Sequence, residues 1–173
     1  MQELVLLAGP NGAGKTSFAN EYLRSDDKDL FYINADEIAR ELETTVTKGW
    51  RLDMQAGRRM LEHIDVLTEA RAEFMIETTL SSRNYAKRIP RWQANGYSIL
   101  LIYLRLADVN VSLDRIRRRV AAGGHDIPEL TVRRRFHRSL VNLENVYKPI
   151  VDEWYVWDSL EGDFQMAEAW DGA

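Results

Sequence analysis

Gly9 and the triplet Gly14-Lys15-Thr16 bracket four residues, Pro10-Asn11-Gly12-Ala13, in a spacing suited to holding phosphate. Gly9, Gly12 and Gly14 let the backbone curl so that successive N–H groups point at one anion. A helix starting at Lys15 adds its N-terminal N–H groups and the positive end of its dipole. Lys15 supplies a point charge for the β- and γ-phosphates, and the Thr16 hydroxyl is a ligand for Mg²⁺. Gly9 to Ser17 is therefore the expected nucleotide site, with ATP as ligand and Thr16 as the protein's contact to Mg²⁺. The bland alternative is a glycine-rich turn that binds nothing. The apolar run Leu4–Leu7 before it and the helical spacing of Phe18, Ala19, Tyr22 and Leu23 after it argue for the phosphate site.

Other residues could complete a phosphoryl-transfer site. Asp36 follows the second apolar run, where a carboxylate can orient and deprotonate an acceptor hydroxyl, or simply cap the next helix. Glu77 ends an otherwise apolar run and must face a cleft or find a partner, since an unpaired buried carboxylate is costly. Asp36, Glu77 and Asp108 compete for the second Mg²⁺ contact, which stays unassigned. Eight arginines (115, 117, 118, 119, 133, 134, 135 and 138) flank Gly123-Gly124-His125 in a chain that is acidic overall. At roughly 100° per residue, Arg115, Arg118, Arg119, Arg134 and Arg138 lie opposite the apolar faces of their helices. They form either two solvated faces or a helix–hinge–helix lid over about 115–138 that brings guanidinium charge to a transferring phosphoryl group. His125, at the hinge, can touch phosphate or hydrogen-bond the turn.

These residues must be carried by alternating strands and helices. Short apolar runs at Leu4–Leu7, Leu30–Ile33, 74–76, Tyr97–Leu104 and Trp154–Trp157 read as strands. Helices are expected after Lys15, from Asp36, from about Trp50 to Ala72, from a Ser81-Ser82 cap to Ala94 with a kink at Pro90, after the Asp108 cap, and from Pro128 or Glu129 to near Pro149. The tail after Asp158 is weakly patterned and suited to a short helix. Alternation of this kind, opened by a phosphate loop, predicts an α/β, three-layer αβα domain of the P-loop NTPase class over residues 1–173, with a parallel sheet of order 2-3-1-4-5. Ligands in such sheets sit at the carboxyl ends of the strands, which gathers residues 9–16, Asp36, Glu77, Thr78 and Asp108 on one rim.

Composition narrows the function. One domain fits 173 residues, and a net charge of −4 argues against general affinity for nucleic acid or anionic membrane. The absence of cysteine excludes disulfides, thiol nucleophiles and Cys-ligated metals. No apolar run is long enough to span a bilayer, so a cytoplasmic setting is expected.

The segments GPNGAGKT, INADEIA, IETTLSSR, LRLAD and RVAAGGHDIPELTVRRRF together resemble the zeta-toxin family of P-loop kinases, in particular its compact members, from Leu4 to about Tyr155. The ABC-transporter signature LSGGQ is absent. The resemblance implies an NMP-kinase-like fold with a helical lid, and Lys15 and Thr16 as ATP and Mg²⁺ contacts. It also implies Asp36 as base, Glu77 and Thr78 as substrate contacts, and Arg119, Arg134 and Arg135 as phosphate-gripping lid residues. Zeta toxins phosphorylate UDP-N-acetylglucosamine. This chain lacks much of the sequence surrounding the sugar nucleotide in them, and no feature supports an antitoxin partner. The expectation is a kinase moving the γ-phosphoryl group of ATP to a small-molecule hydroxyl, a UDP-sugar being one candidate. The rivals are a nucleotide-dependent switch acting through a protein partner and a nucleic-acid end kinase.

Overall fold

A computed structural model describes residues 1–25, 30–42 and 50–172. Strands β1 (Gln2–Ala8), β2 (Phe31–Ile33), β3 (Phe74–Thr78), β4 (Tyr97–Arg105), β5 (Glu153–Ser159) and β6 (Phe164–Trp170) form one sheet in the order β2-β3-β1-β4-β5-β6. All pairings are parallel except β5 with β6. The expected order 2-3-1-4-5 is present, extended by a sixth strand.

Burial explains why β1 lies at the centre. Leu4, Val5, Leu6 and Leu7 are wholly buried, because strands covered on both faces need apolar residues at every position. Alternate residues then feed different layers. Leu4, Leu6, Phe74, Ile76, Ile99 and Leu101 join one core cluster, and Val5, Leu7, Met75, Leu100, Ile102 and Leu104 join the other. The first layer is filled by α2 (Ala35–Leu42), α3 (Trp50–Glu69), α4 (Ile89–Ala94) and the π-helical turn Leu143–Tyr147, through Ile38, Ile64, Trp92 and Tyr147. The second is filled by α1 (Lys15–Ser25) through Phe18 and Ala19, and by α6 (Glu129–Asn142) through Phe136. Helix α5 (Val109–Ala121) packs on α6 through a small separate core of Leu113, Ile116 and Val132. Its first turn is capped by Asp108, whose carboxylate accepts from the Asn110 and Val111 N–H groups at 2.6 and 3.3 Å.

Three local expectations are corrected. The tail forms β6, not a helix. The stretch after Ser81 is a series of turns, with helix only over Ile89–Ala94, and Pro90 sits in its first turn, where its missing N–H costs nothing. The expected Ser81-Ser82 cap holds turns instead: the Ser82 hydroxyl accepts from the Asn84 N–H at 3.3 Å, and the Ser81 and Thr79 hydroxyls share a hydrogen bond at 2.9 Å. Asp36 does not occupy the N-cap position of α2. The helix starts one residue earlier, and the Asn34 carbonyl accepts the Ile38 N–H at 3.2 Å.

Candidate active site

The phosphate loop runs from the end of β1 into α1. Gly9, Gly12 and Gly14 have φ of +144°, +81° and +83°, a region L side chains rarely adopt. At Gly9 the space is closed as well, since a Cβ there would lie 2.5 Å from the Leu104 carbonyl oxygen. Pro10, Asn11 and Ala13 complete the loop, with the Ala13 N–H donating to the Pro10 carbonyl at 3.1 Å. Lys15, Thr16 and Ser17 form the first turn of α1, so their N–H groups belong to a helix N-terminus. The Lys15 ammonium lies back over the loop and donates to the Gly9 and Pro10 carbonyls, both at 3.1 Å.

Glu77 is where the strand ends converge. At the end of β3, with its side chain 12% exposed, it lies 3.9 Å from the Lys15 ammonium. It accepts hydrogen bonds from the Thr16 hydroxyl at 3.0 Å, from the Asn34 amide at 3.1 Å and from the Tyr32 hydroxyl. Its burial is therefore compensated by three donors and a cation. Burial first, and then the Glu77 charge, push the Tyr32 hydroxyl well above the usual phenol range, which keeps it a protonated donor. Tyr32 and Asn34 were not among the expected site residues. Their one signal was position, at the carboxyl end of β2 beside Asp36 on the ligand-bearing rim.

A cleft of ≈ 570 Å³ opens beside this cluster, a size usual for small-molecule sites. Asn11, Lys15, Glu77 and Thr78 line it from the phosphate loop and the end of β3, and Arg119, His125, Arg134 and Arg135 line it from the α5–α6 hairpin. Ala35, Ala39, Ala56, Met60 and Tyr85 add apolar lining to the same cleft. Of the residues expected at the site, Asn11, Lys15, Glu77, Thr78, Arg119, His125, Arg134 and Arg135 line this cleft, while two acidic candidates stand apart. Asp108 spends its carboxylate capping α5, which removes it from the contest for the metal. The Asp36 side chain lies outside the described residues; its backbone is the second residue of α2, next to the cleft-lining Ala35.

The arginines divide. Arg117 pairs with Asp114 at 2.7 Å, Arg133 with Glu129 at 2.7 Å, and Arg118 with Glu161. Arg119 donates to the His125 carbonyl at 2.9 Å. Gly123 ends α5 at φ +88°, and Gly124 lets the chain pass so close that a Cβ would lie 2.6 Å from Arg119 Cγ. Arg115, expected on the outward face, instead donates to backbone carbonyls, among them Gly12 at 3.2 Å. For Arg134 and Arg135 the described residues give no hydrogen bond or ion pair, and both line the cleft. Asn11 Oδ1 is buried without a partner, again in the cleft wall.

The loop therefore fits a polyphosphate: glycine geometry that frees N–H groups, a helix N-terminus, buried Lys15, and the guanidinium groups of Arg134 and Arg135, which have no carboxylate partner among the described residues. Thr16 and Glu77 present two adjacent oxygen donors of the hard type Mg²⁺ prefers.

Comparisons with known proteins agree with this geometry. An uncharacterized protein of Haemophilus influenzae is 31% identical over 135 residues, spanning 76% of this chain and 91% of the relative. Among solved structures, one from the PezAT chromosomal toxin–antitoxin system of Streptococcus pneumoniae superposes with a TM-score of 0.70 at 18% identity, covering 97% of this chain and 72% of that one. The AvrRxo1-ORF1:-ORF2 complex with ATP gives 0.77 at 17% identity, covering 99% and 59%. A gluconokinase of Sinorhizobium meliloti gives 0.51 at 13% identity, covering 92% and 83%. The fold is thus the zeta-toxin-like P-loop fold that the motifs suggest. The model of the AAA domain family matches residues 4–141, most of the chain and all of the cleft-lining residues, and the chain belongs to that family of P-loop proteins.

Proposed function

We propose that this protein is a kinase that transfers the γ-phosphoryl group of ATP to a hydroxyl of a small molecule. The observation that supports the reading is that one cleft is lined by Lys15 and Glu77 of the phosphate site, by Arg119, Arg134 and Arg135, and by apolar residues of α2 and α3. A protein that only binds or slowly hydrolyses nucleotide has no need for that added apolar lining. A phosphotransferase needs it for the acceptor.

In this reading the loop and Lys15 hold the donor phosphates. Thr16, with Glu77 beside it, holds Mg²⁺, which when bound neutralises charge on the β- and γ-oxygens. The Thr16–Glu77 contact keeps the threonine hydroxyl oriented before any ligand arrives. Asp36, at the start of α2, is the base that orients the acceptor hydroxyl and takes its proton. Arg134 and Arg135, with Arg119 beside them, meet the negative charge spread over the transferring oxygens, and His125 and Thr78 line the same space. The apolar lining of Ala39, Met60 and Tyr85 suits an acceptor with an uncharged face, such as a sugar or nucleoside ring. A UDP-sugar is one such acceptor, as in zeta toxins. The AvrRxo1 complex was solved with ATP, which is consistent with ATP as the donor here.

The test is a screen of hydroxyl-bearing metabolites, UDP-sugars included, with ATP and Mg²⁺, read by the mass of phosphorylated product and by ADP release. An acceptor-dependent burst of ADP with a matching product mass is expected. A slow ADP release unchanged across all acceptors would instead identify a nucleotide-dependent switch.

A further inference from the structure

Three consecutive carbonyl oxygens of the phosphate loop are each held from behind. Ser112 of α5, wholly buried, donates its hydroxyl to the Asn11 carbonyl. Arg115, one turn further along α5, donates Nη1 to the Gly12 carbonyl at 3.2 Å. Ser159, the last residue of β5 and only 6% exposed, donates Oγ–H to the Ala13 carbonyl at 2.8 Å. The Arg115 fork also locks the strand to the helix. Nη1 donates to Ser159 Oγ at 2.7 Å, and Nη2 donates to the Ser159 and Leu160 carbonyls at 3.1 and 2.8 Å. Phe164 of β6 closes the remaining side: a Cβ on Gly14 would lie 3.2 Å from its ring, which meets the Phe18 ring edge-on at 5.1 Å.

Peptide geometry turns this bracing into function. None of the described peptide bonds is cis, so each carbonyl and the N–H that follows it point in opposite directions. Holding Asn11 O and Ala13 O toward α5 and β5 sends the Gly12 and Gly14 N–H groups the other way, to the side where Asn11 and Lys15 line the cleft. The peptide between them is fixed at both ends, by Arg115 on Gly12 O and by the Ala13 N–H on Pro10 O. Glycine has no steric preference that would hold these angles unaided, so the orientation must come from outside the loop. Charge adds to geometry. All four acceptors of the Arg115 guanidinium are neutral oxygens, and no carboxylate pairs with it among the described residues. Its full positive charge therefore stands directly behind the anion cradle. Ser159, Leu160 and Phe164 lie beyond the segment matched by the family model, which ends at residue 141.

We propose that Arg115 and Ser159 are positioning residues for the phosphate loop, and that through them the β5–β6 hairpin is built into the nucleotide site. The proposal rests on the reading of that loop as a nucleotide site.

The experiment uses the full chain and the variants Arg115→Ala, Arg115→Lys and Ser159→Ala. Arg118→Ala is the control, because Arg118 joins α5 to the hairpin turn through Glu161 without touching a loop carbonyl. ADP binding is measured by calorimetry, and amide exchange of Gly12 and Gly14 is measured without nucleotide. Arg115→Ala is expected to weaken ADP about tenfold and Ser159→Ala a few-fold, each with faster loop exchange. Arg115→Lys, which keeps the charge and loses the fork, falls between Arg115→Ala and wild type. Arg118→Ala behaves as wild type. Ser159→Ala deletes a single oxygen and keeps the test valid if Arg115→Ala does not fold. Unchanged ADP affinity in Arg115→Ala and Ser159→Ala overturns the proposal, whether or not loop exchange speeds up. So does an equal loss in Arg118→Ala, which would make the effect one of hairpin docking alone. Wild-type protein that binds no ADP defeats the nucleotide reading instead, and loop exchange then decides by itself whether the brace orders the loop.

Discussion

Lys15 is a buried cation, 7% exposed, held by two carbonyls of its own loop and close to Glu77. Removing its charge should not strand Glu77, because Thr16, Tyr32 and Asn34 still donate to that carboxylate. Lys15→Met keeps the aliphatic stem and deletes the ammonium, so a folded variant is expected to lose about two orders of magnitude in ATP affinity or turnover. Calorimetry and an ADP-release assay on that variant check this, and undiminished binding would remove the phosphate loop from the mechanism. Asp36 poses a different question. Because α2 starts at Ala35 with the Asn34 carbonyl accepting its first hydrogen bond, the N-cap position belongs to Asn34 and not to Asp36. Asp36→Asn should therefore leave melting temperature and ATP binding in place while transfer to the acceptor disappears. Normal transfer in that variant would pass the role of base to another group. The glycines, Lys15, Thr16, Asp36 and Glu77 were legible as candidates because their chemistry is local in sequence. Tyr32 and Asn34 were not, since their bonds to Glu77 span 45 and 43 residues and exist only once β2 lies beside β3.

The elements that were legible are those whose burial dictates their composition. The continuous apolar runs of β1 and β4 are buried on both faces and read directly as inner strands. Strand β6 reads poorly because it is an exposed edge built from Gln165, Met166, Ala167, Glu168 and Ala169, residues that favour helix locally. Pairing with β5 overrides that preference, helped by Glu168, which accepts from Arg105 at 2.6 Å and Lys148 at 3.0 Å. The arginine faces of α5 and α6 divide in legibility: the Arg117–Asp114 and Arg133–Glu129 pairs follow from i,i+3 and i,i+4 spacing, whereas the Arg118–Glu161 pair and the bonds of Arg115 to the phosphate loop exist only in the folded chain. Helix α3 carries one further oddity, Gly57, placed mid-helix on the cleft wall with nothing within 4 Å of where a Cβ would stand. Gly57→Ala is expected to stabilise the protein by about 1 kcal/mol through helix propensity. Gly57→Leu should keep that gain and narrow the apolar part of the cleft, raising KM for the acceptor while leaving the affinity for ATP unchanged. Steady-state kinetics in both substrates separate the two effects. An unaltered acceptor KM in Gly57→Leu would mean that the acceptor does not use that lining.

Across the whole molecule, the sheet rim presents Lys15 and Glu77 to a helical pair that packs against itself through a small core of its own. Ser112 and Arg115 tie the first half of α5 to the phosphate loop and Phe136 seats α6 in the main core, so any closure is confined to the tip of the hairpin, residues 119–135 around Gly123-Gly124, and that tip is the part expected to move. The hairpin's paired arginines, Arg117, Arg118 and Arg133, have their charge answered by Asp114, Glu161 and Glu129. Among the described residues no carboxylate answers Arg134 or Arg135, and their like charges repel one another until an anion enters the cleft. A polyphosphate relieves that repulsion, so the hairpin tip is expected to draw toward the rim when ATP binds and to exclude water during transfer. Arg135 then acts mainly where charge spreads over the transferring oxygens, so Arg135→Ala should lower kcat much more than it raises KM for ATP. Arg117→Ala, which removes an exposed pair, should change either constant little. Hydrogen exchange across residues 119–135 should slow when a non-hydrolysable ATP analogue and the acceptor are added together. Exchange that is already slow without ligand and indifferent to it would make the hairpin tip a fixed wall. In that case Arg134 and Arg135 would contribute only a standing electrostatic field, and Arg135→Ala should raise KM for ATP and lower kcat by similar factors.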